Sequence, residues 1–169
     1  MKLPYKFCPF CKERLQHKKE LYFCPKCKKS IYKNFAYVGV GMVFVKEGKV
    51  LLSKRRIEPR KGIYDIIGGF LNEDEYPKKG IIREVKEETN LDVKIEKILG
   101  IYRDTYGENN EPTLNIIYIG KIISGEIKPQ DDISELRWFN LEKTKDLKLF
   151  KNVKEALSDL KKLHKQNKI

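Results

Sequence analysis

Three glutamates near the middle of the chain share one face of a predicted helix. Glu84, Glu87 and Glu88 are spaced i, i+3 and i+4, and residues at this spacing lie together on one side of an α-helix. Because like charges at this spacing repel, such a face needs either a neutralising cation or full solvation. Ligands that are all oxygen favour Mg2+ or Mn2+ over Zn2+. The run therefore predicts either a site for a hard divalent cation or a solvated acidic helix.

The residues around the glutamates predict where this helix begins and ends. Pro77 suits the first turn of a helix, and Asn90 suits the position that ends one. The Gly68-Gly69 pair predicts a tight turn upstream, and Glu75 lies between that turn and the helix. A solvated helix does not account for this arrangement, so we favour the catalytic interpretation. A cation held here would activate water and polarise a phosphoryl group, which indicates hydrolysis of a pyrophosphate bond.

The run from Gly69 to Leu91 resembles the signature of the Nudix hydrolase family. Its pattern is Gly, five residues, Glu, seven residues, Arg-Glu, an apolar residue, any residue, Glu-Glu, any residue, Asn and Leu. The resemblance implies an α/β fold, the Nudix α/β/α sandwich with a mixed sheet, over residues 35–169. It also implies a Mg2+- or Mn2+-dependent hydrolase of a nucleoside diphosphate linked to another moiety, such as ADP-ribose or a dinucleotide.

The resemblance assigns roles to individual residues of the catalytic set. The family's metal-binding glutamates correspond to Glu84, Glu87 and Glu88. Gly68 belongs to the segment that offers a backbone carbonyl to the metal, and Glu75 and Arg83 match the pair that holds the loop against the helix. The general base varies across the family and is left open. Secondary candidates for a base or a further metal ligand are Glu108, Glu111, Asp131, Asp132 and Glu135.

The departures from the family pattern are mild. Asn90 stands where the family has Gly, but Asn also tolerates the left-handed backbone conformation. Gly80 stands inside the helix where the family usually has Ala, which costs up to about 1 kcal/mol. Residues 64–67 resemble a family segment that more often begins with Trp and ends with Pro. None of these changes removes a ligand.

Five residues outside the metal set are candidates for substrate binding. Arg55 and Arg56 end a predicted strand where cations facing phosphates would be useful, and a solvated strand end is the equal alternative. Tyr64 and Phe70 lie on either side of the glycine turn. Tyr106 stands near where some dinucleoside polyphosphate hydrolases have a Tyr, and either stacks on a base or packs in the core.

Two Cys-Pro-x-Cys pairs near the start of the chain predict a metal site. The four thiols are Cys8, Cys11, Cys24 and Cys27, with twelve residues between the pairs. Four thiolates give the tetrahedral sulfur site that suits Zn2+, and a segment with so few apolar residues would draw its folding energy from the metal. The paired spacing disfavours disulfides, whereas an iron site of the rubredoxin type stays open. We predict a structural zinc ribbon over residues 1–34.

A zinc ribbon followed by a Nudix domain resembles the arrangement of NADH pyrophosphatases. Residues 101–107 do not carry the Ser-Gln-Pro-Trp-Pro-type motif of that group, which counts against NAD(H) as the substrate. ADP-ribose, other nucleoside diphosphate derivatives and modified nucleoside triphosphates all remain candidates.

The charge of the chain is concentrated at its ends. The net charge of +12 divides into +8 over residues 1–35, −1 over 36–140 and +5 over 141–169. Basic ends attract RNA and other polyanions, although solubility explains them equally well. The alternative function is therefore a nucleic-acid-binding zinc-ribbon protein, whose Nudix domain acts on capped RNA ends or is a non-catalytic scaffold. With no apolar run long enough to span a membrane, we expect a cytoplasmic protein, which could form a homodimer.

Hydrophobic patterning predicts the remaining elements. A polar loop that shapes a substrate pocket is expected at 104–112, and a helix with an apolar stripe from residue 149. Strands are predicted at 35–45, 50–56, 63–67, 93–102, 114–123 and 135–139.

Overall fold

The computed structural model describes residues 5–19, 21–32 and 36–166. The chain divides into two compact units, Met1–Ala36 and Tyr37–Ile169. The domain boundary expected between residues 34 and 35 lies outside the described residues and stays a prediction.

The small unit is a three-stranded antiparallel sheet with two turns that carry the cysteines. Its strands are β1 (Gln16–His17), β2 (Leu21–Phe23) and β3 (Ser30–Tyr32), in the order β1-β2-β3. The two cysteine turns have the same backbone hydrogen bonds: Lys12 N–H donates to the Cys8 carbonyl over 2.8 Å, and Lys28 N–H donates to that of Cys24 over 3.0 Å. Both lysines are left-handed, with φ of 61° and 60°.

A seven-stranded mixed sheet forms the centre of the large unit. In chain order its strands are β4 (Tyr37–Lys46), β5 (Lys49–Arg55), β6 (Tyr64–Asp65), β7 (Ile67–Phe70), β8 (Asp92–Tyr106), β9 (Glu111–Ser124) and β10 (Ile133–Asn140). The strand order is β10-β5-β4-β9-β8, with β6 beside β5 and β7 beside β4. The pair β4–β9 is parallel and the other pairs are antiparallel.

Helices cover both faces of this sheet. Helix α1 (Pro77–Thr89) packs on one face and α2 (Lys151–Lys165) on the other, after a 3-10 helix at Leu141–Asp146. Strand β4 shows why two cores form, because successive side chains of a strand point to opposite faces. Met42 and Phe44 pack in the core beneath α1, whereas Val43 packs in the core beneath α2. The predicted α/β/α sandwich with a mixed sheet is confirmed.

Helix α1 has the ends that the sequence predicts. Pro77 is its first residue, and Asn90 follows its last turn in the left-handed conformation with φ of 59°. Gly80 has a packing role that the sequence did not reveal. A Cβ at this position would overlap the Leu71 side chain and lie 3.0 Å from Glu75 Oε2, so the missing side chain lets the preceding loop lie against the helix.

Three predicted elements differ in the structure. The expected loop at 104–112 is wrong for most of its length, because β8 continues to Tyr106 and β9 begins at Glu111. The polar end of β8 lines a cleft, so the segment lacks the apolar pattern of a strand. The strand expected at 63–67 is divided between β6 and β7. The tight turn expected at Gly68-Gly69 is wrong, because both glycines lie in β7 and pair with β4. No helix among the described residues is long and apolar enough to span a membrane.

Candidate active site

A cleft of about 230 Å³ opens beside Gly68 and Gly69 of β7. Glu84 and Glu88 of α1 line one part of it, together with these two glycines. The end of β8, the start of β9, the end of β5 and the start of α2 also contribute to its lining. The cleft thus brings the acidic helix face and polar strand ends into one space.

The glycine pair of β7, Gly68 and Gly69, lies directly against the helical carboxylates. Gly68 has φ of 145°, and its backbone N–H donates to Glu88 Oε2 over 2.8 Å. A Cβ at Gly68 would overlap the Val40 carbonyl. A Cβ at Gly69 would lie 2.6–2.8 Å from the carboxylate atoms of Glu84. The absence of a side chain at Gly68 therefore leaves room for β4, and its absence at Gly69 leaves room for the Glu84 carboxylate.

The electrostatics of the cleft disfavour negative charge unless a cation is present. Glu88 is 6% exposed, and this burial raises its pKa well above the usual range, with the negative charge of Asp132 adding to the shift. Burial also raises the pKa of Glu84, against the opposing effect of Arg83. Desolvation raises the pKa of Asp65 to about 7. Three neighbouring carboxyl groups therefore resist ionisation together.

Arg83 organises the outer part of the acidic face. Its guanidinium donates to both oxygens of Glu75, over 2.9 and 2.7 Å, and also to Glu84 over 2.8 Å and Glu87 over 2.9 Å. A further hydrogen bond of 3.3 Å reaches the Phe70 carbonyl. These contacts join the loop after β7 to α1. The Arg83 contacts lower the pKa of Glu75 to about 2.

Arg55 and the aromatic rings of Phe70 and Tyr106 form another part of the cleft wall. Arg55 donates to the Tyr106 hydroxyl over 3.1 Å and to the Pro59 carbonyl over 3.1 Å, and its guanidinium lies 3.6 Å from Asp132. The ring of Tyr106 lies 5.1 Å from that of Phe70, edge to face. All these residues except Pro59 line the cleft.

Other residues expected at the site lie outside this cleft. Arg56 is exposed and donates to the Asp131 carbonyl. Tyr64 packs edge to face on Phe139, and its hydroxyl donates to Glu135 over 3.3 Å. Glu87 is half exposed and is paired with Arg83. The secondary acidic candidates that do not line the cleft are Glu108, Glu111 and Glu135, whereas Asp131 and Asp132 line it.

Several lining residues carried no signal in the sequence. Asp65 ends a short strand, and Asp104 caps the start of α2, where its Oδ2 accepts the backbone N–H of Asn152 over 3.0 Å. Thr113 and Asn115 lie in β9, and strand β4 separates them from Gly68 and Gly69 of β7. Only the strand register places them in the cleft, and register is not visible in one sequence.

The four cysteines of the small unit form a cluster of the size that holds one metal ion. Their Sγ atoms all lie within 4.8 Å of one another. The Cys8–Cys27 and Cys11–Cys24 sulfur distances are 3.7 and 3.4 Å, and all four thiols are free. Four sulfur ligands in one small cluster suit a tetrahedral metal such as zinc.

The amino-acid sequence matches the NUDIX domain over residues 35–160. The chain belongs to the Nudix family. A solved NUDIX hydrolase from Nitrosomonas europaea superposes on this Nudix protein with a TM-score of 0.74 and 27% identity, covering 96% of this chain and 92% of that one.

Two curated relatives carry names that describe an activity. An ADP-ribose pyrophosphatase from Methanocaldococcus jannaschii is 36% identical over 104 residues, which is 62% of this Nudix chain and 62% of the relative. The NAD-capped RNA hydrolase NudC from Pseudomonas aeruginosa is 28% identical over 163 residues, which is 92% of this chain and 55% of the relative. The chain therefore spans less than two thirds of the length of either relative.

Proposed function

We propose that this Nudix protein is a Mg2+- or Mn2+-dependent hydrolase of the pyrophosphate bond in a nucleoside diphosphate linked to another moiety. The observation that carries the proposal is the buried Glu88 carboxyl, which lies inside a cleft with Glu84 and accepts the backbone N–H of Gly68. Burying carboxylates side by side is unfavourable unless a cation or protons neutralise them. A site with this cost is typical of function rather than of stability.

The oxygen atoms on this side of the cleft fit a hard divalent cation. Glu84 and Glu88 would be its ligands, with the Gly68 carbonyl as a third and Glu87 able to join from the outer side of the helix. Carboxylate and carbonyl oxygens without sulfur or imidazole favour Mg2+ or Mn2+. The cysteine cluster of the small unit has the opposite preference, and we assign it a structural Zn2+.

The chain's own residues would bind and orient the substrate. Arg55 lines the cleft, where its guanidinium would hold a phosphate oxygen. The rings of Phe70 and Tyr106 offer apolar surface beside the phosphates. Glu75 and Arg83 position the loop and the helix relative to each other without touching the substrate. A bound cation supplies charge neutralisation of the phosphates and a water molecule of lowered pKa.

The relatives support the substrate class. One is named for ADP-ribose and the other for NAD-capped RNA, and both substrates contain a nucleoside diphosphate joined to a second group. We place ADP-ribose first, because the M. jannaschii relative has the higher identity and because the motif associated with NAD(H) is absent at residues 101–107.

Hydrolysis of capped RNA is the second candidate. The NudC match extends over both units of this chain. In the small unit Phe10 is 63% exposed with the Lys29 ammonium 3.8 Å from its ring centre, and Phe7 and Tyr32 are also exposed. Exposed aromatic rings among lysines suit single-stranded nucleic acid. Steeply salt-dependent RNA binding would support this second candidate.

The test is product formation from a panel of substrates with Mg2+, comparing the wild type with Glu88→Gln. The panel contains ADP-ribose, NADH, diadenosine polyphosphates, nucleoside triphosphates and NAD-capped RNA. We expect turnover of at least one diphosphate-linked substrate and a loss of about 100-fold or more in the variant. Equal background signal from both proteins on every compound would overturn the proposed function.

A further inference from the structure

A row of three residues crosses the sheet at the cleft. Asn115 of β9 lies opposite Gly39 of β4, and Gly39 lies opposite Phe70 of β7. Residues opposite one another on adjacent strands share a face of the sheet. Gly39 leaves a gap in the middle of the row, and a Cβ there would overlap Asn115 Oδ1. The glycine therefore allows the Asn115 amide to lie across β4, toward the Phe70 ring.

The amide of Asn115 keeps hydrogen-bonding capacity for a ligand. Its Nδ2 donates to Thr113 Oγ1 over 3.0 Å, and Thr113 is buried at 5% exposure. A side-chain amide has two N–H donors and a carbonyl acceptor. Within residues 36–166, no further hydrogen bond to the Asn115 side chain is formed. One donor and one acceptor therefore stay available on a side chain that lines the cleft.

Flat apolar surface lies beside this amide. The Phe70 ring is 37% exposed, 5.1 Å from the ring of Tyr106 and 5.7 Å from that of Tyr37. Exposed rings of this kind stack on nucleobases, and the stacking itself tolerates any base. An amide distinguishes adenine from hypoxanthine, because it forms two parallel hydrogen bonds with the amino group and the adjacent ring nitrogen of adenine. Hypoxanthine has a carbonyl in place of that amino group.

We propose that Asn115 recognises adenine in the cleft, held in place by Thr113 and by the absence of a side chain at Gly39. The base would stack on the Phe70 ring, inside the cleft that Glu84 also lines. This inference rests on the proposed function for the position of the phosphates and for ADP-ribose as the first candidate, and it adds the residues that recognise the base.

The test measures binding and turnover separately with the full chain. Calorimetric titration with AMP, IMP and CMP reports base preference without chemistry, and hydrolysis of ADP-ribose and its inosine analogue reports it during turnover. We expect the wild type to bind AMP about tenfold or more tightly than IMP, as a two-bond amide contact gives. Asn115→Leu and Gly39→Ala should each bring this ratio close to one. Leu114→Ala is the matched control, since Leu114 lies next to Asn115 on the strand but outside the cleft.

The outcomes separate this inference from the proposed function. A wild type without AMP preference, or variants that keep it while Trp138 fluorescence shows a native fold, would overturn the role of Asn115. AMP preference that depends on Asn115, in a protein that hydrolyses none of the panel, would support adenine recognition and overturn the hydrolase. Equal hydrolysis of the adenine and inosine substrates by the wild type would support the hydrolase function and overturn adenine recognition.

Discussion

Arg83 binds Glu75 through two parallel hydrogen bonds, from Nε to Oε1 at 2.9 Å and from Nη2 to Oε2 at 2.7 Å. The two residues belong to different segments, because Glu75 precedes α1 and Arg83 lies in its middle. Paired hydrogen bonds of this kind fix orientation as well as distance. The arginine thereby sets the position of the loop that follows β7 relative to the helix that carries the acidic face.

Removal of Arg83 should loosen this arrangement. We expect Arg83→Ala to lower the Tm of the large unit by several degrees and to reduce kcat/KM. The reason is that Glu75, Glu84 and Glu87 all lose their ion pair with the Arg83 guanidinium. Arg83→Lys should restore little, because an ammonium cannot form the two-bond contact. Lys86→Ala on the same helix is the control, since its ion pair with Asp92 is exposed and contributes little. Full activity in Arg83→Lys would contradict the positioning role.

Gly69→Ala tests the close approach of strand β7 to helix α1. The new Cβ would lie 2.6–2.8 Å from the Glu84 carboxylate, so that side chain must move. We expect a loss of about tenfold or more in kcat/KM with a native fluorescence spectrum. Gly62→Ala is the control, because its Cβ meets no atom within 4 Å and adds only backbone strain at φ of 82°. Equal activity in the two variants would show that Glu84 needs no fixed position.

Asp65 should make stability depend on pH. Its folded pKa of about 7 lies above the usual value of 3.8, so the folded state holds this proton longer than the unfolded state. The resulting stabilisation is complete below pH 3.8 and is lost as the pH rises to 7. Without added divalent cation, the unfolding free energy of the wild type should decrease between pH 4 and pH 7. In Asp65→Asn this decrease should be smaller than in the wild type by about 2–4 kcal/mol.

Urea unfolding followed by the fluorescence of Trp138, the single tryptophan, measures this for the large unit. Asp92→Asn is the control, because hydrogen bonding to Lys86 lowers the pKa of Asp92 and so leaves the range from pH 4 to pH 7 unaffected. Identical pH profiles for the wild type and Asp65→Asn would exclude a protonated Asp65.

The cysteine cluster should bind one zinc ion per chain. Cys24 is fully buried within the cluster, so Cys24→Ser removes one of its four thiol ligands. We expect elemental analysis to give about one equivalent of zinc in the wild type and in the control Ser30→Ala, but much less in Cys24→Ser. Iron in place of zinc, or a full metal equivalent in Cys24→Ser, would contradict the assignment.

The sequence predicts the carboxylate side of the cleft far better than the side that carries Asn115. Helical spacing places the glutamates on one face whatever surrounds them, and Pro77 and Asn90 mark the helix ends through their own backbone preferences. Asn115 enters the cleft only because β9 pairs with β4 in a register that sets it opposite Gly39. Register depends on contacts between distant segments, and local pattern does not contain it.

Arg55 and Arg56 illustrate the same limit on a smaller scale. The sequence gives both the same role, but Arg55 ends β5 facing the cleft, whereas Arg56 follows the strand and binds the Asp131 carbonyl. Residues 104–106 and 111–112 were taken for a loop because their polar side chains resemble one. In the structure they complete β8 and β9, and Asp104, Thr105 and Tyr106 line the cleft.

The most direct test of the cation site is a Mn2+ titration followed by electron paramagnetic resonance, since free Mn2+ loses its signal on binding. We expect the wild type and Glu73→Gln, an exposed change of the same charge, to bind Mn2+ with similar affinity. Glu88→Gln should bind at least about tenfold more weakly, because it removes a buried ligand while keeping an oxygen to accept the Gly68 N–H. Equal affinity in all three proteins would contradict a cation site at the buried carboxylates.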